Sequence, residues 1–204
     1  MINSEIIKTN IAGLQYAVST IGSVQMRNMA TIGGNIANAS PAGDSIPMLM
    51  VLDTKITTLF EGKIYNYDII NFFTGPGKSQ LKSKEFILKI SIPITQGYTQ
   101  KFYKLGQREG IAISKINLAV NYKIEDSIIS DIKISLGAVA PTVVRARKTE
   151  EFLINKKISD EIITLASNII KTECSPITDI RSTSEYRKLV AGNLLLQFFR
   201  ELNF

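Results

Sequence analysis

The residues best suited to chemistry in this sequence are a glycine pair, Gly33 and Gly34, set between Thr31 and Asn35 in the segment Gln25 to Asp44, QMRNMATIGGNIANASPAGD. The chemistry is anion binding by main chain. Neither glycine carries a Cβ, so both amides can take left-handed dihedrals and converge into a concave nest of N–H donors that fits a phosphate or pyrophosphate. Thr31 to Gly34 also reads as a tight turn ahead of a short helix. The residues that follow, Asn35 to Ser40, are mostly small or amide-bearing and leave room for a ligand instead of filling a core.

Other chemistries are excluded by composition. The chain of 204 residues has no histidine and a single cysteine, Cys174. Imidazole-based metal binding, Ser-His and Cys-His catalysis, disulfide frameworks and Cys-rich zinc or iron–sulfur sites are therefore absent from its own repertoire. No apolar run approaches the roughly 20 residues that cross a bilayer, and Met1 to Asn10 has no leader pattern. The expectation is a cytoplasmic protein that does not engage a membrane. Lysine and arginine exceed acidic residues by 24 to 18. Lys55, Lys63, Lys78, Lys82, Lys84, Lys89, Lys101 and Lys104 are scattered, however, and a nucleic-acid footprint needs a patch with stacking aromatics. They read as solvated surface, and no nucleic-acid partner is expected.

The glycine pair must be carried by neighbouring elements. Ile11, Leu14, Ala17, Val18 and Ile21 recur at helical spacing and predict a helix leading into the turn. Ile46 to Leu52 predicts a buried short helix or turn. Lys55 to Phe60 and Lys63 to Tyr65, joined by Glu61-Gly62, predict a hairpin of two edge strands. Phe72 to Gly77 reads as a loop, and Pro76, lacking an N–H, makes Gly75-Pro76-Gly77 a plain turn. Phe86, Leu88, Ile90 and Ile92 alternate as the inner face of a half-buried strand. A boundary is predicted within Ile94 to Gln100, giving domains at 1–97 and 98–204. Beyond it, Lys101 to Leu105, Asn117 to Ile124 and Ile128 to Val139, the last two joined through Glu125-Asp126-Ser127 in the manner of a hairpin, predict an antiparallel three-stranded sheet. Helices over Thr149 to Leu153, Ser159 to Lys171 and Ser184 to Leu202 should cover one face of it, an α+β arrangement. In the last helix, Tyr186, Leu189, Val190, Asn193, Leu194 and Phe198 trace the expected faces.

The segment around the glycines resembles the second glycine motif of the FAD-binding subunits of the xanthine dehydrogenase and molybdenum-containing carbon monoxide dehydrogenase family. Arg27, then Ala30-Thr31-Ile32-Gly33-Gly34-Asn35, then Ala39-Ser40-Pro41 and Asp44 follow the family's order. Two later segments are similar as well. Phe102 to Arg108 with Ala112-Ile113-Ser114-Lys115 resembles a Phe-x-Lys-x-x-x-Arg segment, and Asp179, Arg181, Tyr186 and Arg187 match the Asp-x-Arg-x-x-x-x-Tyr-Arg signature. The resemblance runs from about Ile11 to the C-terminus. It implies the second lobe of a PCMH-type FAD-binding domain followed by the family's C-terminal domain.

By that resemblance, Thr31, Ile32, Gly33, Gly34 and Asn35 offer amides and a hydroxyl to the FAD diphosphate. Asp44 matches an aspartate on the adenosine side of FAD, a capping or turn aspartate being the other reading. Ile87 sits where the family has an aliphatic residue against the cofactor, and core packing accounts for it equally. Lys104 matches a lysine that touches FAD, where a cation near the flavin would stabilise charge gathered on reduction, an ordinary surface lysine being the other reading. Arg27, Arg108, Arg181 and Arg187 read as structural braces. The family carries another lobe with a first double-glycine loop. This sequence contains no second Gly-Gly pair, so the expectation is a fragment, a separate chain that supplies the lobe, or lost flavin binding. The resemblance implies an electron-transfer flavoprotein, inactive alone, with an iron–sulfur subunit, a molybdopterin subunit and an acceptor such as NAD. A non-catalytic docking piece is the alternative.

Overall fold

The computed structural model describes residues 1–108 and 110–202. Glu109, and Asn203 and Phe204 at the end of the expected second domain, lie outside the described residues.

Five short helices come first: α1 (Glu5–Asn10), α2 (Ala12–Ser19), α3 (Val24–Met29), α4 (Ile32–Asn38) and α5 (Ser45–Val51). Every residue of α5 is buried. Strands β1 (Lys55–Phe60) and β2 (Lys63–Asp68) form the expected hairpin. Glu61 and Gly62, at φ 49° and 75°, make the turn of two left-handed residues whose twist suits a hairpin. The hairpin is not a pair of edge strands, because β1 is central in the order β2-β1-β5, with β5 spanning Phe86–Ser91. A small ribbon of β3 (Phe73–Gly75) and β4 (Lys78–Ser79) lies between them, and Gly77, at φ 65°, donates its amide to the Ala39 carbonyl at 3.0 Å.

The alternation predicted for β5 is broken. Thr57 pairs with Lys89 but Thr58 pairs with Ile87, so Leu88 is an extra residue on its strand. Such a bulge shifts every side chain before it to the other face. Ile87, Ile90 and Ile92 consequently pack on the core, while Phe86 and Leu88 are exposed.

The second half builds one sheet in the order β6-β7-β8-β9: β6 (Thr99–Leu105), β7 (Ile116–Glu125), β8 (Ile128–Gly137) and the short β9 (Val144–Arg145). It thus has four strands where three were expected. Asp126 and Ser127, both at positive φ, turn the β7–β8 hairpin. Three helices follow, α6 (Arg147–Leu153), α7 (Asp160–Thr172) and α8 (Ser184–Arg200). Along β7 the side chains divide by parity. Ile116, Leu118, Val120 and Tyr122 join the core formed with Leu195, Phe198 and Phe199 of α8. Asn117, Ala119 and Asn121 turn the other way, where Ala119 joins the core built on α2 and α5. Helices therefore cover both faces of this sheet, because β7 is apolar on one side and filled by small or amide residues on the other.

The buried stripe of α8 runs through Arg187, Val190, Ala191, Leu194, Leu195, Phe198 and Phe199. Tyr186 and Leu189, predicted on its faces, are exposed. Asp179 anchors the start of that helix by accepting from Arg187 at 2.6 Å and from Arg181 at 2.6 and 3.0 Å. Arg187 also donates to the Ala138 carbonyl at 2.8 Å. The Asp-x-Arg-x-x-x-x-Tyr-Arg segment is thus a brace joining loop, helix and sheet. No helix among the described residues is long and apolar enough to cross a membrane.

Candidate functional site

Helix α4 opens at the glycine pair. Thr31 is extended at φ −120° and ψ 151°, and its Oγ1 accepts from the Gly34 amide at 2.9 Å. Its carbonyl accepts from the Asn35 amide at 3.0 Å. This is a standard threonine N-cap, which leaves the Ile32 and Gly33 amides without a partner inside the helix. The expectation that the glycines adopt left-handed dihedrals is corrected: both are helical, and the left-handed residue of the segment is Ala39, at φ 49°, which ends α4. Of the two, only Gly34 is pressed closely by a neighbour. A Cβ on Gly33 would meet the Ile87 side chain at 3.9 Å, and one on Gly34 would stand 3.0 Å from Thr31 Oγ1. Ile87, displaced inward by the bulge, is thereby set against the glycine turn.

Beside this turn lies a cleft of about 600 Å³. Its walls come from Met1 to Asn3, from the end of α2 and the turn after it (Val18, Ile21), from α3 (Val24, Arg27, Asn28) and from the opening of α4 (Thr31, Ile32, Asn35). Asn35 links the cleft to a second cluster. Its Oδ1 accepts from Ser45 Oγ at 2.6 Å, and Ser45 follows Asp44.

Asp44 occupies the N-cap position of α5 but makes no side-chain cap bond. Its carboxylate is taken up elsewhere. Oδ1 accepts from Ser114 Oγ at 2.5 Å and Asn117 Nδ2 at 2.9 Å, and Oδ2 accepts from Lys104 Nζ at 2.7 Å. Lys104 donates again to the Thr20 carbonyl, just past α2, at 2.8 Å. Lys104 and Asn117 are cross-strand partners on the inner face of β6 and β7, so the register delivers both to one carboxylate.

The eight residues expected at the site therefore form a connected set: Ile87 against Gly33, Thr31 to Asn35 along α4, Asn35 to Ser45, then Asp44 to Lys104. Lys104 is no free cation, since Asp44 neutralises it. Nor are Asp44 and Lys104 at opposite ends of a long ligand, as an adenosine-side carboxylate and a flavin-side cation would be. Ser45 and Asn117 were not singled out from sequence, nor was Ser114 given a role. A buried asparagine interrupting the apolar run of β7 was the available signal for Asn117. Among the described residues no group of three or more acidic or cysteine side chains is arranged to hold a metal ion.

Comparisons with known proteins place this architecture. Residues 1–95 match the family described as FAD binding domain in molybdopterin dehydrogenase, and residues 101–202 match the CO dehydrogenase flavoprotein C-terminal domain. The glyceraldehyde dehydrogenase medium chain of Sulfolobus acidocaldarius is 30% identical over 203 residues, covering 99% of this chain and 72% of that protein. The xanthine dehydrogenase FAD-binding subunit of Escherichia coli O157:H7 is 26% identical, covering 92% of this chain and 65% of its own length. The solved carbon monoxide dehydrogenase of Hydrogenophaga pseudoflava superposes with a TM-score of 0.92 at 26% identity, over 96% of this chain and 68% of that one. Matched along both halves by sequence and fold, the chain belongs to the FAD-binding medium subunits of the xanthine dehydrogenase and carbon monoxide dehydrogenase family.

Proposed function

We propose that this chain is the FAD-binding, electron-transferring subunit, or part of it, in a molybdenum-containing hydroxylase or dehydrogenase complex of the cytoplasm. One observation carries the reading beyond family membership: the amides of Ile32 and Gly33, without an acceptor among the described residues, open the helix that borders a cleft walled in part by Val18, Ile21, Val24 and Ile32. Main-chain donors at such a point suit an anionic phosphate, and apolar walls suit an aromatic ring. The chain's residues fit the group.

Bound FAD supplies a ring that takes up and releases electrons singly or in pairs. The residues of the chain bind and orient it. Ile32 and Gly33 donate amides to the diphosphate, the Thr31 hydroxyl keeps a proton to donate after accepting from Gly34, and Ile87 lies behind Gly33 as apolar backing. Asp44 and Lys104 hold the end of α2 and the start of α5 in register, which fixes the cleft wall. The sequence has a single cysteine, and the described residues include no group arranged to hold a metal ion, so the reading pairs this chain with an iron–sulfur subunit and a molybdopterin subunit, and NAD is a suitable acceptor. A further lobe completing the cleft belongs to the same reading.

The test is spectroscopic. The complex purified with its natural partners should show the absorbance of an oxidised flavin, and added FAD should raise the melting temperature of flavin-stripped protein. A complex that carries no flavin and gains no stability from FAD would instead be using this chain as a docking piece.

A further inference from the structure

Among the residues lining the cleft, Arg27 alone has a charged side chain. Its Nη1 donates to the carbonyls of Ile21 and Gly22, each at 2.9 Å. These two bonds use both protons of one nitrogen and fix the plane of the guanidinium at the end of α2. The Nε and Nη2 protons have no acceptor among the described residues, and Arg27 forms no ion pair there. Arg27 is part-buried, and Val18, Ile21 and Val24 line the same cleft, so the guanidinium is held by its two carbonyls at a mouth that solvent also reaches.

Four residues on, Thr31 caps α4, and Thr31, Ile32 and Asn35 of that helix line the same cleft. Here the remaining fork of N–H donors is oriented and unspent, which is the geometry that recognises phosphate oxygens in pairs. We propose that Arg27 is a specificity-determining contact for the FAD diphosphate, complementing the α4 amides. This inference rests on the FAD reading given above.

The experiment uses the intact complex, stripped of flavin and titrated with FAD or with riboflavin, which has no phosphate. Arg27→Gln should weaken FAD on the order of 10- to 100-fold, as loss of a charge-assisted contact does, and leave riboflavin binding unchanged. Arg27→Lys should recover part of the loss. A second measurement needs no variant: in wild-type protein, FAD and inorganic pyrophosphate should shield Arg27 from an arginine-specific dicarbonyl reagent, read by peptide mass, and riboflavin should not. Wild-type FAD affinity in Arg27→Gln, or equal labelling of Arg27 with and without FAD, overturns the proposal alone. Equal weakening of FAD and riboflavin in both variants also overturns it, since the arginine would then act only through the Ile21 and Gly22 carbonyls. A wild-type complex that takes up no FAD overturns the functional reading itself, and this proposal with it.

Discussion

Lys104 Nζ lies 2.7 Å from Oδ2 of Asp44, with 10% and 7% of the two side chains exposed. The pair crosses the boundary between the two family matches, since Asp44 falls in residues 1–95 and Lys104 in 101–202. A buried carboxylate with one cationic partner and two neutral donors is tied to all three. Lys104→Met would leave the carboxylate with Ser114 and Asn117 but no opposite charge, and Asp44→Asn would leave the ammonium with neutral acceptors alone.

Each single change is expected to cost about 3 kcal/mol, because an uncompensated charge remains buried. The double variant Asp44→Asn, Lys104→Met should cost less than the two together, by roughly 1 kcal/mol or more. Urea unfolding of all four proteins gives the coupling. Additive losses would mean that the two side chains do not stabilise one another.

Asp179 sets the acid limit of the second half. Burial pushes its carboxyl up, but hydrogen bonds from Arg181 and the charges of Arg187 and Arg181 outweigh that and hold it at about 2, against an ordinary 3.8. A depressed carboxyl stabilises the fold above its unfolded value and loses that contribution as pH falls toward the folded one. Stability should thus drop between about pH 4 and pH 2 by about 2 kcal/mol. Asp179→Asn should show the loss already at pH 7 and a flatter profile below pH 4. Parallel acid profiles for the two proteins would contradict the assignment.

Much of this fold is legible in local sequence. Glu61-Gly62 and the Asp126-Ser127 turn announce their hairpins, and α2, α7 and α8 follow their apolar spacing. What escapes is non-local. The bulge at Leu88 is set by pairing with Thr57 and Thr58, so period-two counting from Phe86 assigns the wrong face. The partners of Asp44 lie 60, 70 and 73 residues away, and no local pattern joins them. Gly33 and Gly34 were readable as a main-chain binding point. Their helical dihedrals were not, because glycine is equally compatible with a nest and with the first turn of a capped helix.

Helix α6 depends on a distant cap. Ala146, at its N-cap position, has no side chain to offer. Glu173, past the end of α7, accepts instead from the Lys148 and Thr149 amides at 2.9 and 3.1 Å and from Thr149 Oγ1 at 2.6 Å. Glu173→Ala should cost about 1–2 kcal/mol, and Glu173→Gln, which keeps one acceptor oxygen, less than half of that. Chemical denaturation at neutral pH measures both. An alanine variant as stable as wild type would show that water serves these amides equally well.

Gly33→Ala separates folding from binding. A Cβ there meets nothing nearer than Ile87 at 3.9 Å, an ordinary contact, and the residue is already helical. Alanine is the better helix former, so stability should be unchanged or higher by up to about 1 kcal/mol. Under the FAD reading the diphosphate comes against the main chain of the first turn, and a methyl on Gly33 would crowd an oxygen held at van der Waals distance from its Cα. Flavin content of the purified complex should fall at least severalfold while the melting temperature of flavin-free protein does not. Normal flavin content in a normally folded variant would mean that the diphosphate does not reach the first turn of α4, whereas loss of both together would mean that glycine is needed at this position for packing.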